Sequence, residues 1–444
     1  MENRLFSNKR LVQLIIPLVI EQGLTILVGM CDGVMVSSVG EAAISGVSLV
    51  DMINAVFLVL FAALATGGAV VTSQLLGARR LEDARRSAGQ LVLMAFTLGL
   101  AAMALCRIFA RGLLKLFVGS IDQSVMEAGL IYLRITALSF PFIALYNAGA
   151  ALFRSTGNSK ISMQVSLLMN AINIVGNALC IFVLKMGVAG VAVPTVVSRA
   201  VAAVLILALA SRRDQELYLK PSTLYPVDRK MMGKILRIGI PSACENSFFQ
   251  FGRLVVVSMI ALFGTTQTSA NAVANTLDSM GIVIGQAMGL AMVTVVGQSV
   301  GAGDKKQATY YVKKMMLWSY LLLGIVNTLI ILFADQLIGL YRSLTPETVA
   351  LARKLVVIHA AAAIVLWAAS FVLPNALRAA NDVKFTMWVG IGSMLTFRVL
   401  GSWILCVQLG WGAIGVWIAM IADWICRVSF FLPRTLSGKG LSKA

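Results

Sequence analysis

Residues 11–40 read LVQLIIPLVIEQGLTILVGMCDGVMVSSVG. The run is predominantly apolar and long enough to cross a bilayer, which takes about 20 helical residues. It also carries Pro17, Glu21 and Asp32. A charged side chain at mid-membrane costs about 2.5–3.5 kcal/mol on insertion scales, so both carboxylates are expected to line an aqueous path or a binding site. Pro17 removes a helical hydrogen bond and invites a bend. Glu21, Thr25, Val28 and Asp32 follow helical spacing and share one face. At a rise of about 1.5 Å per residue the two carboxylates stand about 16 Å apart along it.

Working outward, the chain is 59% hydrophobic and only 13% charged over 444 residues. Soluble domains carry about twice that charged fraction. Twelve hydrophobic spans are expected, from Leu11–Val39 through Val188–Leu209 and Ile235–Phe263 to Ala413–Leu432. The fold class is therefore an all-α polytopic membrane protein with twelve transmembrane helices. The clearest boundary is the polar stretch SRRDQELYLKPSTLYPVDRKMMGK. It divides an N-terminal lobe (residues 1–210) from a C-terminal lobe (235–444) by a linker, residues 211–234. The six cysteines are scattered, without Cys-x-x-Cys or Cys/His clusters, so neither a metal site nor a disulfide framework is expected.

The formal net charge is +18, but the basic residues gather in connecting segments. Every second connection is basic, as in Arg79/Arg80/Arg85/Arg86, Arg154/Lys160, the linker, Lys305/Lys306/Lys313/Lys314 and Arg378/Lys384. The alternate connections are nearly free of Lys and Arg, Lys185 and Arg342 excepted. This pattern points to a lipid bilayer with both termini cytoplasmic, and away from nucleic acid. Arg107, Arg111 and Lys115, and Arg353 and Lys354, fall near outer ends. Snorkelling from amphipathic ends would accommodate them. The segment after Arg10 is too long and too acidic for a cleaved signal peptide.

The two halves repeat. Pro17 and Pro241, Glu21 and Glu245, Gln74 and Gln298, Arg154 and Arg378, and Lys160 and Lys384 each differ by 224 positions. Gly176 and Gly401 differ by 225, which needs one insertion. Six spans per half make this a parallel repeat, a transporter architecture with substrate held between halves. Asp32 maps to Val256, so the deep carboxylate belongs to the first half alone. Arg253 maps back to Gly29 and Arg398 to Asn173. The second half therefore has intramembrane cations at positions where the first has none.

The paired motifs QLLGARRLEDARR and QSVGAGDKKQATYY, with ALFRSTGNSK and ALRAANDVK, make the chain resemble the multidrug and toxic compound extrusion (MATE) family. Pro17 followed fifteen residues on by Asp32 looks most like its DinF-like branch. There the resemblance implies a polar network of Asp32, Asn173, Asn177 and Thr195 as the ion-coupling site, for H+ or for Na+. Asn177 stands where that branch has a carboxylate. The C-terminal acids of another branch are not reproduced either; the spacing expected after Pro241 falls on Phe249.

The residues agree in outline. Asn170, Asn173 and Asn177 form a polar stripe on one helix face, and Asn246, Gln250 and Arg253 form another. Glu21 is a further ion-coupling candidate, although its mate Glu245 also suits a scaffold role. Pro17, Asn170, Glu245, Gln250, Arg253, Asp51, Asn54 and Arg398 are candidates to line the substrate cavity. His359 reads as a core residue. Asp278 and Asp423 are further acidic groups within C-terminal spans. Burial favours the neutral form of a carboxylate unless a cation offsets it, so Asp32 could load and release a proton. Alternatively Asp32, Asn173, Asn177 and Thr195 offer the hard oxygens that Na+ prefers.

The expected function is therefore efflux of lipophilic or cationic small molecules by a monomer in the bacterial inner membrane. It is a secondary antiporter with alternating access and no cofactor besides the ion. A lipid or lipid-linked precursor flippase is the alternative, with Arg253 and Arg398 supplying its cationic cavity. An embedded transferase would need clustered Asp, His or Cys chemistry. Direct ATP drive would need a phosphate-binding loop, and no G-x-x-x-x-G-K-[ST] run occurs.

Overall fold

A computed structural model describes residues 4–118, 122–341 and 344–438. Arg342 and the last residues of the basic tail lie outside the described residues. Those described are helical, with no strand among them. Twelve long helices run in order. They are α1 (Asn8–Ser37), α2 (Glu41–Gly77), α3 (Leu81–Val118), α4 (Gln123–Ser155), α5 (Ser159–Val183) and α6 (Ala189–Ala210), then α7 (Arg229–Ala261), α8 (Thr265–Gly301), α9 (Lys305–Leu332), α10 (Pro346–Ala379), α11 (Val383–Gln408) and α12 (Gly412–Leu436). Eleven are long and apolar enough to cross a membrane; α7 is long enough, at 33 residues, but less apolar. Its interior holds Glu245, Asn246, Gln250 and Arg253.

The chain divides into two compact units, residues 6–243 and 244–444, the latter joined by the first five residues. The linker and the start of α7 fold with the first unit. Arg85 donates to the Glu216 carbonyl, and Gln90 to the carbonyls of Thr223 and Leu224. Arg86 pairs with Asp228 at 3.0 Å. In the second unit Arg4 donates to the Tyr310 hydroxyl at 2.8 Å, tying the N-terminal stretch to α9.

Local sequence explains the irregular turns. Pro141 cannot donate to a preceding carbonyl, and α4 tightens into a 3₁₀ turn at Ala137–Ser139 just before it. Helical backbone breaks at Phe109 in α3 (φ −106°, ψ 18°), so Arg107, Arg111 and Lys115 straddle a kink. Helix α1 continues past Pro17 to Ser37.

The repeat is written into the backbone. Five left-handed turn residues of the first half, Gly40, Arg79, Gly157, Lys185 and Gly187, have counterparts in Gly264, Gly303, Asn381, Gly410 and Gly412. The first three pairs differ by 224 positions and the last two by 225. The insertion therefore falls between residues 381 and 410.

Within the first unit α1 packs on α5, α5 on α6, and α2 on α3 and α4. Leu11, Leu14 and Leu18 are fully buried one turn apart. Lipid is as apolar as these side chains, so close packing rather than water exclusion holds them. Helices α5 and α6 approach closely because Gly176 has no side chain; a Cβ there would fall 2.7 Å from the Pro194 ring. Burial on α1 is uneven. It includes Leu11 to Glu21 and then only Val36.

Candidate functional site

The close approach of α5 to α6 sets the Asn stripe against Thr195. Asn173 Nδ2 donates to Thr195 Oγ1 at 3.1 Å, while that hydroxyl donates back to the Val191 carbonyl. Asn177 Nδ2 donates to Asp32 Oδ1 at 2.8 Å and, more weakly, to Asn173 Oδ1 at 3.4 Å. The four residues that the resemblance grouped therefore come together on α1, α5 and α6. Asn173 and Asn177 are buried, and Asp32 and Thr195 are half-buried. Asn177 Oδ1 is buried without a hydrogen-bond donor. A half-buried carboxylate thus stands beside a free carbonyl oxygen, a combination suited to a small cation. Asn170, one turn earlier, donates only to Ser166 Oγ, at 3.5 Å.

Beside this network lies a cation absent from the sequence expectation. Arg199 on α6, one turn after Thr195, donates to Ser139 Oγ at 2.8 Å and stands within electrostatic range of both Asp32 and Asp51. It lies away from Gly29 and Asn173, the first-half positions that answer to Arg253 and Arg398. Asp51 accepts from Tyr132 at 3.2 Å and from Asn54 at 3.4 Å. Tyr132 and Ser139 also escaped sequence reading. Arg199 is the only charged residue of α6, and that lone charge was the signal that could have found it.

Glu21 is not part of that network. It is buried among Ser162, Tyr146 and Arg154, whose donors reach its carboxylate at 2.9, 3.3 and 3.5 Å. Its repeat mate Glu245 pairs with Arg378 at 2.7 Å. Pro17 is buried one turn before Glu21.

The second unit distributes charge differently. Arg427, buried on α12, donates to Asp423 at 3.0 Å and lies 3.9 Å from Glu245. His359 is buried, with Nε2 2.6 Å from Asp278 Oδ1 and its ring edge-on to Trp417 and Trp424. Arg398 lies on a wide π-helical stretch of α11, its guanidinium 5.3 Å over the Phe249 ring. Arg253 is exposed and Gln250 half-buried. No group of three or more His, Cys, Asp and Glu forms a metal cage among the described residues.

A family model described as MatE matches residues 17–179 and 241–404, the same portion of each repeat. The chain is 28% identical to "Uncharacterized transporter YisQ" of Bacillus subtilis (strain 168), over 92% of this chain and 90% of that one. It is also 28% identical to "Probable multidrug resistance protein NorM" of Thermotoga maritima, over 98% and 94%. Among solved structures, the outward-facing conformation of a multidrug resistance MATE family transporter matches with a TM-score of 0.91 at 22% identity, covering 98% of this chain and 97% of that one. A Pyrococcus furiosus transporter, described as having reverse polarity of its binding pocket, matches with a TM-score of 0.90, also at 22% identity and with the same coverage.

Proposed function

The chain belongs to the MatE family, a multi-pass membrane transporter and not an enzyme, and from that premise we propose that it exports lipophilic, cationic or amphipathic organic molecules against an inward ion gradient. The relatives named as multidrug resistance proteins support the substrate class. The observation that carries the mechanism is the Asp32–Asn177 hydrogen bond, which ties the sparsely buried end of α1 to α5.

In this reading the ion, H+ or Na+, binds at Asp32. A proton would occupy a carboxylate oxygen. Na+ would draw on Asp32, Asn177 Oδ1 and the Thr195 hydroxyl, all hard oxygen donors. Either ion changes the charge that Asp32 presents to Asn177 and Arg199. That change biases α1 between two arrangements, and a ligand shifts such an equilibrium only by its differential affinity for the two states. Alternating access of the lobes then couples ion entry to cargo exit. The basic connections support a cytoplasmic location for both termini in the inner membrane. The protein works as a monomer, each chain holding both repeats.

The deciding measurement is efflux of an organic cation from vesicles under separately imposed H+ and Na+ gradients. Gradient-driven efflux is expected for the wild type and its loss for Asp32→Asn. Efflux that survives the substitution removes Asp32 from the coupling site. A second reading, a flippase for lipid-linked anions, is favoured by one observation: among the described residues Arg253 and Arg398 have no carboxylate within ion-pair distance.

A further inference from the structure

Each carboxylate near the arginines of the second unit has a nearer basic partner than Arg398 or Arg253. Glu245 takes Arg378 at 2.7 Å, Asp423 takes Arg427 at 3.0 Å, and Asp278 takes His359 at 2.6 Å. The cluster therefore holds four arginines and one histidine against three carboxylates. Arg398 and Arg253 remain: Arg398 feels Asp423 and Asp278 as well as Arg253 and Arg427, but both carboxylates are engaged by nearer partners, and neither Arg398 nor Arg253 forms an ion pair among the described residues. Arg398 Nε is buried and makes no hydrogen bond. A guanidinium carries five donors, and leaving buried ones unmade is costly. The face of Phe249 offsets part of that cost.

The surroundings are aromatic. Phe249 meets Phe371 edge-on at 6.1 Å between ring centres, and Phe371 lies 5.1 Å from Trp367 and 6.0 Å from Trp424. The wide helical turns at Met394–Leu400 and Ala363–Val372 carry Arg398, Trp367 and Phe371. Such turns gather at functional sites. Two guanidinium groups without an ion-pair partner among the described residues, beside an apolar aromatic wall, fit an oxyanion borne on an apolar body.

We propose that Arg398 and Arg253, backed by Phe249, form an anion-binding site in the C-terminal lobe for the carboxylate or phosphate of an amphiphile. Arg398 supplies the fixed fork and Arg253 the adaptable second cation. This goes beyond the export of organic cations and deepens the second, anionic reading, on which it rests only where the ligand is called cargo. Binding itself is independent of any gradient.

The test is equilibrium binding to the full chain in phosphatidylcholine nanodiscs, followed by the change in intrinsic tryptophan emission, to which Trp367 and Trp424 beside the site contribute. The probes are octyl phosphate and octyltrimethylammonium. Saturable binding of octyl phosphate is expected, weakened at least about tenfold by Arg398→Gln and by Arg253→Gln, since charge-assisted hydrogen bonds contribute about 1.5–3 kcal/mol. Lys305→Gln, which removes a cation elsewhere, serves as the control for non-specific attraction and leaves affinity unchanged. Arg253 is exposed, so its variant remains informative if Arg398→Gln misfolds. Phosphatidic acid added to the discs competes with octyl phosphate if a lipid headgroup is the occupant and has no effect if a dissolved amphiphile is. Equal binding of the two probes, or octyl phosphate binding within about twofold of wild type in both arginine variants, overturns the site. Neither result touches gradient-driven efflux, which stands or falls in the vesicle experiment.

Discussion

Arg378 Nη2 lies 2.7 Å from Glu245 Oε2, and the same repeat positions in the first half hold Arg154 and Glu21 at 3.5 Å. In both units the pair is 133 residues apart in the chain. Both are nearly buried, so truncating one partner strands a charge, at a cost of about 3–5 kcal/mol. Arg378→Ala is expected to lower stability by that order in thermal unfolding in detergent. Glu245→Gln should cost less, because an amide still accepts from Arg378. Equal melting of wild type and Arg378→Ala would mean that the pair is not structural.

The same relationship separates Glu21 from Asp32. Glu21 is held by Ser162, Tyr146 and Arg154, whereas among the described residues Asp32 accepts from the Asn177 amide and makes no ion pair. Glu21→Gln should therefore reduce stability while leaving ion-driven efflux measurable. Asn177→Ala should do the reverse. It removes both the hydrogen bond to Asp32 and the Oδ1 oxygen available to Na+, and bonds to charged groups contribute about 1.5–3 kcal/mol, so Na+ should bind roughly 10–100-fold more weakly, whereas a proton, which competes with that donor for the carboxylate, should bind more tightly. Arg199→Lys should retain more coupling than Arg199→Ala, since it keeps the cation near Asp32 and Asp51. Efflux rates across a series of ion concentrations read all four. A Glu21→Gln protein that is stable but uncoupled would reverse the assignment.

The linker offers a pH prediction outside the membrane. Asp228 accepts from the Met231 backbone N–H at 3.0 Å, and that bond, with Arg86 beside it, holds its carboxyl below the usual range. The folded state then binds this proton less readily than the unfolded chain does. The contribution is present above the ordinary value of 3.8 and is lost as pH falls through the lowered folded value. A spin label on Lys220 should keep its mobility between about pH 7 and pH 5 and gain it only in stronger acid. Asp228→Asn should raise its mobility already at neutral pH. A wild-type transition near neutrality would assign the docking to another group.

The architecture was legible because its signals are local or periodic. Hydropathy marked the spans, and the 224-residue register exposed the repeat, which the five mirrored turns now carry in backbone angles. Register also paired Glu21 with Glu245 and Arg154 with Arg378, yet it could not join Glu to Arg, because packing does that. Arg199 escaped for a related reason. The register ties Arg253 and Arg398 to Gly29 and Asn173, and by the same one-insertion register Arg199 answers instead to Trp424. Asp278 and His359 lie 81 positions apart on α8 and α10, with no local pattern to link them. On α2 and α8 the repeat exchanges chemistry in place: Asp51 and Asn54 stand where the second half has Asn275 and Asp278. Comparing the halves locates such a site but does not supply its partner.

The least buried part of α1 tests whether that helix is the moving element. Between Glu21 and Val36 no residue of α1 is buried, and a Cβ at Gly29 or Gly33 would meet nothing within 4 Å. Neither glycine is there to make room, so what each contributes is backbone freedom. Ala in place of an interior helical Gly stabilises by about 0.8–1.0 kcal/mol per site, without a clash to offset it here. Gly29→Ala/Gly33→Ala should therefore unfold later than wild type while transporting more slowly, since a stiffened helix resists the rearrangement that ion binding drives. Equilibrium binding of the coupling ion should change much less than turnover does, because Asp32, Asn173, Asn177 and Thr195 remain in place. Paired measurements of binding by calorimetry and of efflux rate in vesicles separate the two. If turnover is unaffected although the melting temperature rises, α1 does not bend during the cycle, and the rearrangement belongs to another helix.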